Sequence, residues 1–291
     1  MALTIILKRQ LLGFQRNEIT EHYIYRRLAY SVKGSDNREI LLGIAHDEFQ
    51  HSLVWKKLTH RDVRPDRLKV WFYYWTGRIL GFTFAVKHME RGENRAQENY
   101  VRLAGIVDGI EKIVKDENEH EAALISLLDE DRLKYMGSIV LGLNDALVEL
   151  TGSLAGLTLA LRNTQLIALT GLIVGFAAAL SMAASEYLST KTEKAQFREP
   201  LKSSVYTGLT YTATVGILIL PDLLLDNPFV SLALTIAAAV LIIAGFNFYI
   251  SVARDEPFKR QFLEMAGVSL GVAALSFCIG HAVRAFLGVD I

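Results

Sequence analysis

Two regimes of hydrophobic patterning divide the chain. From about residue 135 onward, apolar residues run in five long stretches, roughly 137–161, 166–188, 204–221, 229–252 and 266–288. Each is close to the ~20 residues that a helix needs to cross the hydrocarbon of a bilayer. Before Lys134 the apolar positions are interspersed with most of the chain's charge, and the pattern predicts four helices. The first runs from about residue 4 to 32 and stops near Gly34, because Ser35-Asp36-Asn37 supplies turn and N-cap chemistry. The second follows to about residue 62, before Pro65 interrupts the pattern. A third ends near residue 105 and a fourth near residue 131. The expected class is all-α: a four-helix bundle over 1–134, then a five-span transmembrane domain over 135–291.

Composition narrows the function classes. With 31 basic and 31 acidic residues in 291, the formal net charge is zero, and nothing points to a nucleic-acid partner. The single cysteine, Cys278, excludes an intrachain disulfide. The first seven residues are apolar, but Lys8 and Arg9 follow that run instead of preceding it, so no signal peptide is expected. Between the spans, Arg132, Lys134, Lys191, Lys194, Arg198, Lys202, Arg254, Lys259 and Arg260 share one side, whereas the other receives Arg162 and Arg284. By the positive-inside rule the N-terminal domain is cytoplasmic.

The chemistry of the N-terminal half lies in a repeat. Asp47-Glu48-Phe49-Gln50-His51 and Asp116-Glu117-Asn118-Glu119-His120 both read Asp-Glu-x-x-His. Residues three apart on a helix point the same way, so each copy presents a carboxylate and an imidazole side by side. A lone Glu-x-x-His is weak. Here each copy is preceded, about 25–30 residues upstream, by a further Glu: Glu18 before the first and Glu93 before the second. Each of these stands seven positions ahead of a Tyr (Tyr25, Tyr100) that leads into an Arg-Leu-Ala sequence, which marks a duplicated helix pair. Two helices giving Glu-x-x-His and two giving a Glu is the ligand set of a di-iron four-helix bundle. Glu90 shares a helical face with Glu93, and either can complete the set. The candidate ligands are Glu18, Glu48, His51, Glu90, Glu93, Glu117 and His120, holding two metal ions.

One stretch fits neither regime. Val70-Trp71-Phe72-Tyr73-Tyr74-Trp75, beside Arg67, Lys69 and Arg78, suits a headgroup surface, where Trp and Tyr are enriched. Ordinary packing of a crossover, or a dimer contact, is an equal reading.

Within the spans, ionisable groups are costly and usually face a pathway or one another. Gly142, Asp145, Glu149, Gly152 and Gly156 give the first span a small, acidic face; Gly171, Gly175, Ala179, Met182 and Glu186 recur likewise on the second, a face that lets helices approach closely. At about 1.5 Å of rise per residue, Glu186 falls near the cytoplasmic mouth, Met182 and Asp145 roughly 10 Å in, and Glu149 near the midplane of a ~30 Å core. Carboxylates bind most divalent cations and a thioether favours softer transition metals, so Fe²⁺ or Mn²⁺ is the expected ion.

These residues carry two resemblances that together cover nearly the whole chain. The N-terminal half resembles rubrerythrin and other ferritin-like di-iron proteins through Glu18, Glu48-x-x-His51, Glu93 and Glu117-x-x-His120. The C-terminal half resembles the vacuolar iron transporter family over Gly142-Leu143-Asn144-Asp145-Ala146-Leu147-Val148-Glu149-Leu150 and Ser181-Met182-Ala183-Ala184-Ser185-Glu186-Tyr187-Leu188-Ser189. The combination is similar to prokaryotic membrane-bound ferritin-like proteins. It implies a multi-pass protein of a prokaryotic cell membrane, working as a homodimer in lipid. It also implies export of Fe²⁺ by proton antiport, with Asp145, Glu149, Met182 and Glu186 on the path. Two departures stand out. Plant and parasite members carry a Glu-rich helical insertion between spans two and three, where this chain has only Thr190 to Lys202, and the paired cysteines of rubrerythrin's rubredoxin module are missing.

Three functions follow. In the first, the cytoplasmic domain captures iron and the membrane domain exports it. In the second, a membrane-tethered di-iron enzyme oxidises iron or consumes O₂ or peroxide. In the third, an iron or peroxide sensor gates the spans.

Overall fold

The computed structural model describes residues 5–32, 34–89, 91, 110–126, 135–192, 199–254 and 256–287. Every element among them is an α-helix. The chain divides into two compact units, Met1–Glu130 and Asp131–Ile291.

In the first unit, α1 (Ile5–Ala29) and α2 (Ser35–Thr59) pair closely, joined through Gly34, whose φ of 104° suits glycine. Helix α3 (Arg67–Ile79) is an element that the sequence pattern left unplaced. It starts at Asp66, whose carboxylate accepts from the Leu68 and Lys69 amides at 3.1 and 3.2 Å, an N-cap that satisfies two otherwise orphaned donors. Helix α4, described over 82–89, follows Gly81, and α5 (Ile110–Ser126) returns against α2. Glu90 and Glu93, the ligands expected on the third predicted helix, lie outside the described residues.

Inward positions on α1, α2 and α5 recur at three- and four-residue steps. Leu11, Gln15, Glu18, Tyr25 and Ala29 face in from α1; Leu41, Glu48, His51, Trp55 and Thr59 from α2; Ile110, Ile113, His120 and Leu124 from α5. Most are apolar and form two clusters. Leu11, Trp55, Ile110 and Ile113 make one. Ile24, Leu28, Leu41, Ala45, Val86 and Leu124 belong to the other. Glu18, Glu48, His51 and His120 fall between them along their helices, so these candidate ligands form a layer flanked on both sides by apolar packing.

The second unit is built from α6 (Met136–Leu161), α7 (Thr164–Thr192), α8 (Pro200–Leu224), α9 (Pro228–Arg254) and α10 (Phe258–Leu287). All five are long and apolar enough to cross a membrane. Observed helices extend several residues beyond the apolar stretches at most ends, because polar caps continue the backbone ladder past the hydrophobic run. Arg162 closes α6 in the left-handed conformation, with φ of 50°, and Asn227 caps α9 by accepting from the Phe229 and Val230 amides.

The two small-residue faces find several partners instead of only each other. A Cβ on Gly142 would collide with the Thr207 carbonyl of α8, and one on Gly280 of α10 with the Gly156 carbonyl of α6. Gly175 packs beneath Val215 of α8, and Gly171 lies between Leu154 of α6 and Ile219 of α8. Small residues let backbones approach wherever two helices cross, and sequence spacing does not name the partner.

Candidate metal centre and membrane path

The layer in the first unit is a cluster of carboxylates around two imidazoles. Ligand atoms of Glu18, Glu48, His51 and Glu117 all lie within 4.8 Å of one another. From His51 Nδ1 the distances are 3.5 Å to Glu18 Oε2, 3.7 Å to Glu48 Oε2 and 3.6 Å to Glu117 Oε1. His120 Nδ1 stands 3.2 Å from Glu48 Oε1 and 4.0 Å from Glu117 Oε2. Glu48 and Glu117 therefore each turn one oxygen toward His51 and the other toward His120. The two rings lie 5.9 Å apart, centroid to centroid.

Outer contacts orient the cluster. His51 Nε2 is 3.1 Å from Asp116 Oδ2, and His120 Nε2 is 3.2 Å from Asp47 Oδ2. Each aspartate belongs to the opposite copy of the repeat, so the two copies are cross-braced. An Nε2–H donated to a carboxylate leaves Nδ1 as the ring nitrogen that faces inward and can ligate a metal on losing its proton. Trp55 Nε1 donates to Glu18 Oε1 at 2.9 Å and fixes that carboxylate from below. The sequence reading passed over Asp47, Asp116 and Trp55 as functional groups, although both aspartates stand in the repeated motif.

Burial makes the cluster costly without a cation. Burial pushes Glu48 well above the usual carboxylate range, opposed by the His51 imidazole beside it and helped by the charges of Glu117 and Glu18. At Glu18 burial raises the pKa, yet the neighbouring His51 and Glu48 side chains and the Trp55 N–H outweigh it and leave the group lowered. His51 is opposed by burial as a cation, but Glu117, Glu18 and Glu48 raise it strongly. Among the described residues, Glu48 Oε2, His51 Nδ1 and His120 Nδ1 are buried without a hydrogen-bond partner. Inward carboxylate oxygens and imidazole nitrogens form the donor set of a first-row divalent metal, and the cluster fits one.

In the second unit, Ser138 of α6 donates to Glu186 Oε1 of α7 at 2.6 Å and sets the antiparallel register of these helices. Counting from that level at 1.5 Å per residue, Met182 lies about 6 Å along, Asp145 about 10 Å and Glu149 about 16 Å. Glu149 Oε2 accepts from Tyr211 OH of α8 at 2.6 Å. Tyr211 was not among the expected path residues; a tyrosine inside an apolar span was the available signal. Asp145, Met182 and Glu186 are half-buried and Glu149 is exposed, so the column opens on the outside of the single-chain bundle. Asp145, Glu149 and Glu186 do not converge into a second metal-sized cluster within one chain.

Comparison with curated proteins and with solved structures gave no match. Residues 136–200, from the start of α6 to the first residue of α8, match the VIT family, a similarity to membrane transporters of metal ions that lies within the five-span unit.

Proposed function

We propose that this chain exports Fe²⁺, with Mn²⁺ as the alternative ion, from the cytoplasm by proton antiport, and that its N-terminal unit is a cytoplasmic ferritin-like domain that captures the ion. The observation that carries the reading is that the VIT-like segment spans the two helices bearing Asp145, Glu149, Met182 and Glu186. Glu186, held by Ser138, is the entry ligand; Met182 adds a soft donor; Asp145 and Glu149 offer the counter-charge that a partly dehydrated divalent cation needs in hydrocarbon. Tyr211 holds Glu149 in place. An exposed Glu149 facing lipid would be costly, so a second copy supplies the other wall, and the working unit is a homodimer around a shared path.

In the N-terminal unit Glu18, Glu48, His51, Glu117 and His120 would hold two metal ions. Glu93 or Glu90 is the proposed remaining ligand. Two such ions supply the capacity to oxidise Fe²⁺ or reduce peroxide, which is the basis of the alternative enzyme reading. The residues themselves bind and orient: Asp116 and Asp47 hold the imidazoles, and Trp55 holds Glu18.

The test is ion flux. The full chain in sealed vesicles, with a fluorescent chelator on the far side and an imposed proton gradient, should move Fe²⁺ in a gradient-dependent way with protons counterflowing. Absence of flux in vesicles that still consume peroxide would reverse the order of the two readings.

A further inference from the structure

Helix α3 presents two unlike faces. Val70 and Thr76 are buried, Gly77 lies beneath the Leu28 side chain of α1, and Tyr73 OH is 3.3 Å from His88 Nδ1. That side packs on the bundle. On the opposite side Leu68, Trp71, Phe72 and Trp75 are 81, 59, 49 and 45% exposed. At about 100° per residue these four fall within an arc of roughly 100°. Arg67 and Arg78 border the arc on one edge and Lys69 on the other, and all three are exposed. The packing reading of this aromatic run therefore holds for Val70 and Tyr73 and fails for both tryptophans.

We propose that α3 is an in-plane membrane anchor that lays Leu68, Trp71, Phe72 and Trp75 into the headgroup region of an anionic bilayer. Three observations choose this occupant. The residue types match an interfacial helix, with tryptophans at the polar–apolar boundary and cations on both flanks placed to reach lipid phosphates. Five bilayer-spanning helices on the same chain hold a membrane within reach at all times, so docking needs no diffusional encounter. The stripe also exposes on the order of 500 Å² of side chain, short of the ~800 Å² per partner that a stable dimer contact buries. Docked in this way, α3 restricts the motion of the metal-binding layer, since its N-cap Asp66 bonds to α1 through Thr20 at 2.9 Å.

The tryptophans supply the probe. The chain has three, Trp55, Trp71 and Trp75, and none lies in the five spans. Trp55 is fully buried in the bundle, so bromine on lipid acyl chains can reach only the pair on α3. With the full chain in vesicles of brominated phosphatidylcholine and phosphatidylglycerol, emission should fall by up to about two-thirds, most with bromine near the headgroup. The fall should vanish in Trp71→Phe/Trp75→Phe. Arg67→Glu, Lys69→Glu and Arg78→Glu should each lower the docked-to-free ratio roughly fivefold. Emission unaffected by bromine in the wild-type chain overturns the proposal without any variant having to fold. So does quenching unchanged in the triple charge reversal. Protection of both tryptophans combined with a cross-link between two chains, both carrying Trp71→Cys and Cys278→Ser, assigns the face to a second copy instead.

Discussion

Asp47 and Asp116 do for the cluster what neither Glu nor His can do alone: each reaches across to the imidazole of the other copy and sets which ring nitrogen faces inward. Removing such an outer carboxylate typically weakens a metal site by about 10–100-fold. Asp116→Asn and Asp47→Asn should each lower Mn²⁺ affinity within that range, measured by titration calorimetry on the detergent-solubilised chain, while the helical circular dichroism is retained. A change under about twofold in both would mean that the aspartates do not position the rings. A second expectation concerns pH. The carboxylates around His51 raise its pKa, so the metal-free cluster holds a proton there that a metal must displace. Lower pH favours the protonated ring, so affinity should decline as pH falls from about 8 to about 6, with protons released on binding. Potentiometric titration during metal addition checks the release. Glu48-x-x-His51 and Glu117-x-x-His120 were legible because their spacing is local to one helix turn. The crossed aspartates and the Trp55 bond to Glu18 were not, because they depend on how separate helices face each other.

At the scale of elements, the membrane unit is held by close helix crossings at glycine. Gly280 of α10 and Gly156 of α6 meet with no room for a side chain, and Gly142 meets Thr207 in the same way. Gly280→Val and Gly142→Val should therefore each destabilise the unit by about 1–3 kcal/mol, the usual cost of forcing atoms into a packed contact. Gly245, with open space around its Cβ position, is the control. Gly245→Ala adds no clash and lowers the conformational entropy lost on folding. Thermal unfolding in one detergent should rank Gly280→Val well below wild type and Gly245→Ala at or above it. The five spans themselves were readable from the length and apolarity of each stretch, since a bilayer imposes both. Helix α3 was not, because only folding shows which side of its aromatic run is used on the bundle. The glycine faces were visible as spacing but silent about partners, because a smooth helix surface fits more than one neighbour.

At the scale of the molecule, two acidic centres lie in separate compact units of one chain, and the proposed transporter gives them unequal duties. Asp145→Asn and Glu149→Gln keep shape and remove charge. A divalent cation shedding water in a low-dielectric path then loses the counter-charge that makes its passage tolerable. Flux should be abolished at every Fe²⁺ concentration, and raising the ion should not restore it. Tyr211→Phe removes only the hydroxyl that holds Glu149, so flux should fall without disappearing. Glu48→Ala and Glu117→Ala leave the membrane path intact and remove two carboxylates of the candidate collecting layer. Their loss should appear chiefly at low Fe²⁺ and recover as the ion is raised, a rise in the apparent half-saturation with the maximal flux retained. All five variants would be assayed in vesicles with the N-terminal unit facing the supplied Fe²⁺, under one imposed proton gradient and across a concentration series. If Asp145→Asn and Glu149→Gln both transport normally while Glu48→Ala stops all activity, the spans serve as an anchor and the buried Glu/His cluster becomes the working centre of an enzyme.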